Sequence, residues 1–272
     1  MSLGIALIQT VAGGIGQPFP TDVDRVTGVT VTADATPHTM GTWTQLIAST
    51  SAASQWVTLN VSGTGVSGTD TRTLLDIGVG AAATESAIVS SIPVGSQLLG
   101  TSSSTMTIRL PVAIAAGSRV SARIQSIVSA ETASVSLATA AQSGLLVPSS
   151  LITIGDDRAN SRGTNMPTND TYVQLTASTA AAYQALILLP AGAGATFAAQ
   201  TSTYTLASGG AGSETALATM AVVTTTAEAM YLQAATGTAM YFGNVPAGTR
   251  LAAKQSTGQT YRDAILFAVP YP

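Results

Sequence analysis

Several stretches of this chain place apolar side chains at every second position. Trp56-Val57-Thr58-Leu59-Asn60-Val61-Ser62, Thr105-Met106-Thr107-Ile108-Arg109-Leu110-Pro111 and Arg119-Val120-Ser121-Ala122-Arg123-Ile124-Gln125 all do so. A period of two puts alternate residues on opposite faces of a pleated strand, and Val, Ile, Thr and aromatic residues suit that half-buried surface. Turn chemistry recurs at Gly63-Thr64-Gly65, Gly78-Val79-Gly80, Pro93-Val94-Gly95, Ala116-Gly117, Gly209-Gly210 and Pro246-Ala247-Gly248. Short strands punctuated in this way predict an all-β fold of antiparallel β-sandwich, jelly-roll-like type. Thr215-Ala216-Leu217-Ala218-Thr219-Met220-Ala221 fits a helix on propensity alone, so one short helix per unit is compatible with the pattern.

The chain also repeats itself. At a shift of 129 residues, Thr42-Trp43-Thr44-Gln45-Leu46-Ile47-Ala48-Ser49-Thr50-Ser51-Ala52-Ala53-Ser54-Gln55 lies over the fourteen residues from Thr171 to Gln184, with nine identities. The same register puts Gly80 on Gly209 and Glu85 on Glu214, and two extra residues bring Ala116–Arg123 onto Ala247–Lys254. Solenoid and propeller units run about 20–50 residues, so a period this long makes each copy a complete domain. The expected organisation is an N-terminal arm over 1–39, a first sandwich over 40–140, a linker over 141–168 and a second sandwich over 169–272. Pro148 and the Gly155–Gly163 region give the linker its turn and loop character. Val26-Thr27-Gly28-Val29-Thr30-Val31-Thr32 alternates within the arm, which is expected to serve as an extra edge strand or as an anchor reaching a neighbour.

Composition removes several classes of function. Ala, Thr, Ser and Gly supply 141 of the 272 residues, whereas only 8% are charged and the net charge is −3. The 46% hydrophobic content is that of a folding chain, not a disordered one. The ten basic residues are scattered, with Lys254 the only lysine, so no cationic stripe is available for nucleic acid. Absence of cysteine removes disulfides, thiolate zinc sites and thiol nucleophiles. The apolar start, Met1–Ile8, lacks the basic flank of a signal peptide, and the apolar stretch from Ala185 to Ala199 is interrupted by Pro190, Gly192 and Gly194. Neither membrane insertion nor a cofactor is expected.

The candidate chemistry is sparse. Gly63-Thr64-Gly65-Val66-Ser67-Gly68 fits half of a dinucleotide fingerprint but leads into another β segment, so a hairpin loop is the better reading. His38, the only histidine, has Asp34 nearby but precedes the first sandwich, outside any expected cleft. Asp156 and Asp157 are the only adjacent carboxylates; with Arg158, Asn160, Arg162 and Asp170 they read as a solvated loop lacking calcium-loop spacing. No catalytic or metal-binding set is assigned, and whether the 141–168 loop takes a cation is left open. Glu85 with Arg119, and Glu214 with Arg250, fall at equivalent places in the two copies. In so uncharged a chain, each pair is expected to meet and fix a loop, a structural role.

Trp43, Trp56, Tyr172 and Tyr183 are candidates for a sugar-stacking platform, but Trp43 and Tyr172 hold matching repeat positions inside strands, which fits core packing better. Tyr241, Phe242, Tyr261, Phe267 and Tyr271 concentrate in the second copy, and Tyr241, Phe242, Tyr261 and Tyr271 mark a candidate contact surface.

Three segments carry a resemblance. Gly41–Thr50, Asp70–Gly80 and Ala116–Arg123 resemble virion structural proteins of tailed bacteriophages, a likeness that extends over both repeats but not the leader. The resemblance implies a non-enzymatic virion component with tandem β-sandwiches: a decoration, head spike, tail fibre or adaptor protein. It transfers no catalytic residue and does not separate head from tail. The implied location is the virion, and the implied partners are other capsid or tail proteins and copies of the chain itself, with a host surface glycan as a further candidate. A secreted carbohydrate-binding adhesin is the alternative function, and a polysaccharide depolymerase the third.

Overall fold

A computed structural model describes residues 21–62, 72–94, 106–141, 147–167, 169–191, 200–224, 239–256 and 263–272. The first half carries strands β1 (Thr21–Thr32), β2 (Thr44–Ile47), β3 (Trp56–Ser62), β4 (Thr73–Val79), β5 (Ser86–Val94), β6 (Met106–Leu110), β7 (Val120–Ser126) and β8 (Thr132–Ala141). Three short strands follow: β9 (Ile152–Ile154), β10 (Asp156–Asp157) and β11 (Arg162–Asn165). The second half adds β12 (Val173–Thr176), β13 (Tyr183–Ala191), β14 (Gln200–Ser208), β15 (Thr215–Thr224), β16 (Ala239–Val245), β17 (Leu251–Gln255) and β18 (Asp263–Pro270). Among the described residues the only helical turn is a 3-10 turn over Arg158–Asn160.

All the strands join four antiparallel sheets. Sheet I has the order β1-β8-β3-β6, sheet II β2-β7-β4-β5, sheet III β10-β11-β18-β13-β16 with β9 also paired to β18, and sheet IV β12-β17-β14-β15. Strands β1 to β8 thus alternate between two sheets in the jelly-roll order, 1-8-3-6 facing 2-7-4-5. Strands β11 to β18 repeat that order strand for strand. The fold is two tandem antiparallel β-sandwiches.

The arm takes one of its two expected forms, an extra edge strand, and the linker departs from its expected loop character. The 1–39 arm enters the first sandwich from Thr21: β1 pairs along β8 from Thr21↔Ala141 to Thr32↔Thr132, with two bulges, and is the edge strand of sheet I. The 141–168 linker also carries strands. β9 and β11 lie in succession along one edge of β18, through Phe267↔Thr153 and Thr164↔Ala264, so together they supply the first strand of the second sandwich. Proline- and glycine-bearing segments read locally as loops, yet the unpaired edge of β18 supplies backbone partners that local propensity does not register. The Ala-rich Thr215–Ala221 likewise lies in β15 rather than a helix, paired with β14 from Ser208↔Thr215 onward. Cross-strand packing overrides the weak helix preference of alanine and leucine here.

The four sheets form one stack in the order I–II–III–IV. One apolar core joins Val57, Leu59 and Leu137 of sheet I and Leu75, Ile77 and Ile124 of sheet II to Ala185, Ile187, Leu189, Ile265, Phe267 and Val269 of sheet III. A second core joins Leu186, Leu188, Leu266 and Ala268 of sheet III to Tyr204, Leu206, Leu251 and Ala253 of sheet IV. Sheet III therefore alternates between two cores and is buried on both faces, which explains the unbroken apolar runs of β13 and β18.

The two copies diverge according to which face meets water. In β3, Val57, Leu59 and Val61 enter the core while Thr58 and Asn60 lie on the outer face. At the aligned positions of β13 stand Ile187 and Leu189, and Ser136 and Ala138 of β8 are replaced by Ile265 and Phe267 in β18. Sheet IV is polar on its outer side, where the Thr205 and Thr219 hydroxyls lie 3.3 Å apart on the surface. The two outer faces of the stack are thus the polar ones, as in the end repeats of a solenoid.

Candidate functional site: paired arginine clamps and a charge cluster between the sandwiches

The sandwich ends are held by the same side chains in both copies. Arg119, at the start of β7, donates through Nε to Gln45 Oε1 of β2 (3.0 Å) and through Nη1 to Glu85, just before β5. Arg250, at the start of β17, donates through Nε to Gln174 Oε1 of β12 (3.1 Å) and through Nη1 to Glu214 Oε1 (3.0 Å). Each guanidinium ties three strands of one sheet, an arrangement for which its planar fork of donors is suited. Burial pushes the Glu85 carboxyl up, but hydrogen bonds from Arg119, its own backbone amide and Ser121, with the Arg119 charge, together outweigh it and the net pKa is lowered. Glu214 is lowered too, first by its own backbone amide and then by Arg250 against the opposing effect of desolvation.

Behind each arginine lies a threonine latch. Thr50 Oγ1 donates to Ala115 O (2.7 Å) and accepts from the Ser118 amide (3.0 Å). Thr179 Oγ1 donates to Pro246 O (2.7 Å) and accepts from the Thr249 amide (3.0 Å). Gly117 and Gly248 turn these loops at φ +76° and +82°, a region that penalises any side chain.

Trp43 and Tyr172 also play matching parts, though outside the apolar cores expected for them. The Arg123 guanidinium stacks 4.3 Å from the Trp43 ring, and Lys254 Nζ lies 4.9 Å from Tyr172. A Cβ on Gly78 would come within 2.6 Å of the Trp43 ring, so the indole needs that glycine. The aligned pair in the second copy is Tyr172 with Ala207, a smaller ring with a larger neighbour. Trp56 is buried beneath the Arg109 guanidinium, 4.9 Å from it, and Tyr183 lies in the second core.

The charge cluster has no counterpart in the second copy. Asp76 of β4 is fully buried and accepts from Arg123 Nη2 (3.0 Å), Arg158 Nη2 (2.8 Å) and the Ser91 backbone amide (2.8 Å). Asp156 accepts from the Ser91 hydroxyl (2.7 Å) and from Arg158 (3.3 Å). Ser91 takes a left-handed φ of +58°, aiming both its amide and its hydroxyl into the cluster. Thr205 stands where Asp76 would be in copy two. Asp156 and Arg158 come from the strap between β9 and β11, so the cluster joins the strap of sandwich two to sheet II of sandwich one.

The same strap gathers the other candidates of the region. Leu151 N donates to Ile88 O (2.9 Å), and Gln125 Nε2 donates to Arg158 O (2.6 Å) and Ser161 Oγ (3.1 Å). His38 Nδ1 lies 3.0 Å from Ser161 Oγ. Ser161 is only 1% exposed, and Asp34 accepts the Thr36 amide instead of orienting the imidazole. The histidine and serine therefore join the two halves of the chain rather than forming a nucleophile and base over a cleft. Asp157 is held by Asn160 and Arg162; burial is the largest single influence and raises its pKa, but the hydrogen bonds and charge of these two partners together exceed it and the net pKa is lowered. Asp170 pairs with Lys254 (3.1 Å), so these carboxylates do not converge. Among the described residues, no cluster of three His, Asp or Glu side chains is arranged to hold a metal. Among them too, no helix is long and apolar enough to cross a membrane.

Of the late aromatics, Phe267 and Phe242 pack into the core shared by the two sandwiches and Tyr241 packs against the second core. Tyr271 is about half exposed, its hydroxyl donating to Asn244 Oδ1 (3.2 Å). Tyr261 and the Gly63–Gly68 pattern lie outside the described residues. Sequence reasoning did not single out Asp76, Arg123 and Ser91. Asp76 is the one charge in the apolar strand Leu74–Val79, and it stands opposite threonine in the other copy; that contrast is the signal it left.

No protein-family model matches this chain, and no curated protein matches it in sequence. Among solved structures it is distantly similar to the PBSX exported protein XepA: 10% identity over 93% of this chain and 88% of that one, TM-score 0.26. It is similar at the same remove to the VP2 subviral particle of infectious bursal disease virus, with 11% identity over 97% and 77% of the two chains and a TM-score of 0.24. The Gt strain of that virus gives 11% identity, 97% and 78% coverage and a TM-score of 0.21. The likeness to phage-related and viral capsid proteins is thus distant, and scores of this size assign neither an activity nor a partner.

Proposed function

We propose that this chain is a non-enzymatic structural component of a bacteriophage virion, an accessory head or tail protein that stabilises the particle or presents a host-contact surface. The observation that supports this reading is the use made of its few charges. Arg119, Arg250, Arg123 and Arg158 each brace loops, strands or sandwiches against one another. Two jelly rolls fused through a shared core and pinned by such contacts make a stiff block, which suits assembly into a larger body. The partners on this reading are other virion proteins and further copies of the chain. Immunogold electron microscopy of purified particles, with mass spectrometry of their bands, tests it: label at one fixed site on head or tail is expected. Protein found only in the particle-free lysate would overturn it and favour a secreted binding protein.

A further inference from the structure

We propose that the outer face of sheet I is a binding trough for a neutral saccharide. The trough encloses about 430 Å³ and is lined by Asp22, Arg25, Thr58, Asn60, Ser136 and Ala138, together with neighbouring β1 and β8 residues. That volume lies within the range of small-molecule sites, about 300–1,000 Å³. It runs beside β1, whose register slips between Asp22 and Asp24 and again between Val26 and Val29. Bulges of this kind bend an edge strand and re-aim its side chains. Gly28, at φ +69°, makes the second one and donates its amide to Ser136 Oγ (3.2 Å).

The donors and acceptors left over define the ligand. Asn60 Oδ1 accepts from Thr107 Oγ1, which leaves its amide nitrogen pointing to no partner among the described residues. Ser136 Oγ is used as an acceptor, so its proton is available, and the Thr58 hydroxyl has no partner among the described residues either. Hydroxyl and amide groups facing outward over the methyl of Ala138 match a ring that carries hydroxyls on its rim and C–H groups on its face. Charge selects against the other classes. The one cation in the lining, Arg25, is already paired with Asp22, so a phosphate or nucleic acid finds no free positive charge. An acyl chain would leave the polar lining unpaired.

Among the described residues, the equivalent face of the second copy does not offer this site. In sheet III the aligned residues are Ile187, Leu189, Ile265 and Phe267, and sheet II covers them. The second copy therefore supplies the substitutions that close the trough while keeping a sheet that folds. The inference stands whether or not the chain sits on a particle.

The test uses the full chain on a microarray of neutral bacterial surface polysaccharides and their oligosaccharide fragments, followed by saturation-transfer NMR titration with the best-bound fragment. Wild-type protein is expected to bind at least one neutral glycan, and Thr58→Ile with Ser136→Ile to weaken it at least tenfold with an unchanged melting temperature. Thr58→Val removes one hydroxyl at constant shape; it is expected to weaken binding about threefold to tenfold and covers the case in which the double variant fails to fold. Failure of every neutral glycan to bind, or binding unaltered by Thr58→Val and by the folded double variant, would overturn the proposal. Loss of virion localisation would leave it standing.

Discussion

Replacing Asp76 by alanine probes the joint between the two sandwiches. The change leaves the Arg123 guanidinium without its carboxylate, leaves Arg158 with Asp156 alone, and removes the acceptor of the Ser91 amide. Breaking a buried ion pair on one side costs about 3–5 kcal/mol when the remaining charge stays dry. Here the arginine side chains are 28% and 38% exposed, so water relieves part of that cost, and about 2–4 kcal/mol is expected. At roughly 2–4 °C per kcal/mol for a chain of this size, the melting temperature should fall by about 5–15 °C. Guanidinium unfolding followed by tryptophan fluorescence is well placed to see it, because Trp43 and Trp56 both lie in the first half and Trp43 stacks on Arg123. Asp76→Asn keeps an oxygen for Ser91 and should lose less. Arg158→Ala combined with Asp76→Ala should cost less than the sum of the two single changes, by about 1–3 kcal/mol. An Asp76→Ala variant within about 0.5 kcal/mol of wild type, or strict additivity of the pair, would refute the view that these charges hold the joint.

Phe267→Ala copies the residue of the first repeat into a buried site and should cost about 3–5 kcal/mol in chemical denaturation, whereas Ala138→Phe on the outer face should cost little. Gly78→Ala should destabilise through its clash with Trp43, and Trp43→Tyr, the pairing of copy two, should restore part of the loss in a thermal melt. Gln255 is fully buried with neither amide atom partnered among the described residues, and its aligned residue is Ile124; Gln255→Ile should stabilise by about 1–3 kcal/mol in the same assay. Burial raises the pKa of Glu131 against its bond to the Thr132 amide, so the folded state holds that proton to higher pH than the unfolded chain. Stability at this site falls as pH rises through the window between the two values, and Glu131→Gln should raise the melting temperature at neutral pH and leave it unchanged in acid. Glu85, Asp157 and Glu214 have the opposite sign: their stabilisation is present above the ordinary carboxylate range and is lost as pH falls through their lowered values. The gap in melting temperature between wild type and Arg119→Ala should therefore narrow at low pH, leaving the part due to the Gln45 bond.

Period-two alternation in segments such as Trp56–Ser62 was enough to predict strands, because one face of each had to be dry. The duplication brought out Gln45, Glu85 and Arg119 beside Gln174, Glu214 and Arg250, since side chains retained among so few charges mark equivalent places. Apolar runs in Ala185–Leu189 and Ala264–Val269 also carried a legible sign of burial on two faces, but a run of that kind does not say what covers it. The alternation of Val26–Thr32 showed part of β1, but strands β9 and β11 were harder to read. Their segments are short, and they become strands because β18 presents an open edge to them, a partner that is distant in sequence.

The sequence by itself determined an all-β chain of two like units, poor in charge, because alternation and repetition are local and countable. Tertiary structure alone decided which face of each duplicated sheet meets water and which meets its twin. Identical backbones accept threonine at 58 or isoleucine at 187, and only the neighbour packed against the sheet settles the free energy between them. The same holds for Asp76: its burial is tolerable because a strap some eighty residues away brings Arg158 to its carboxylate.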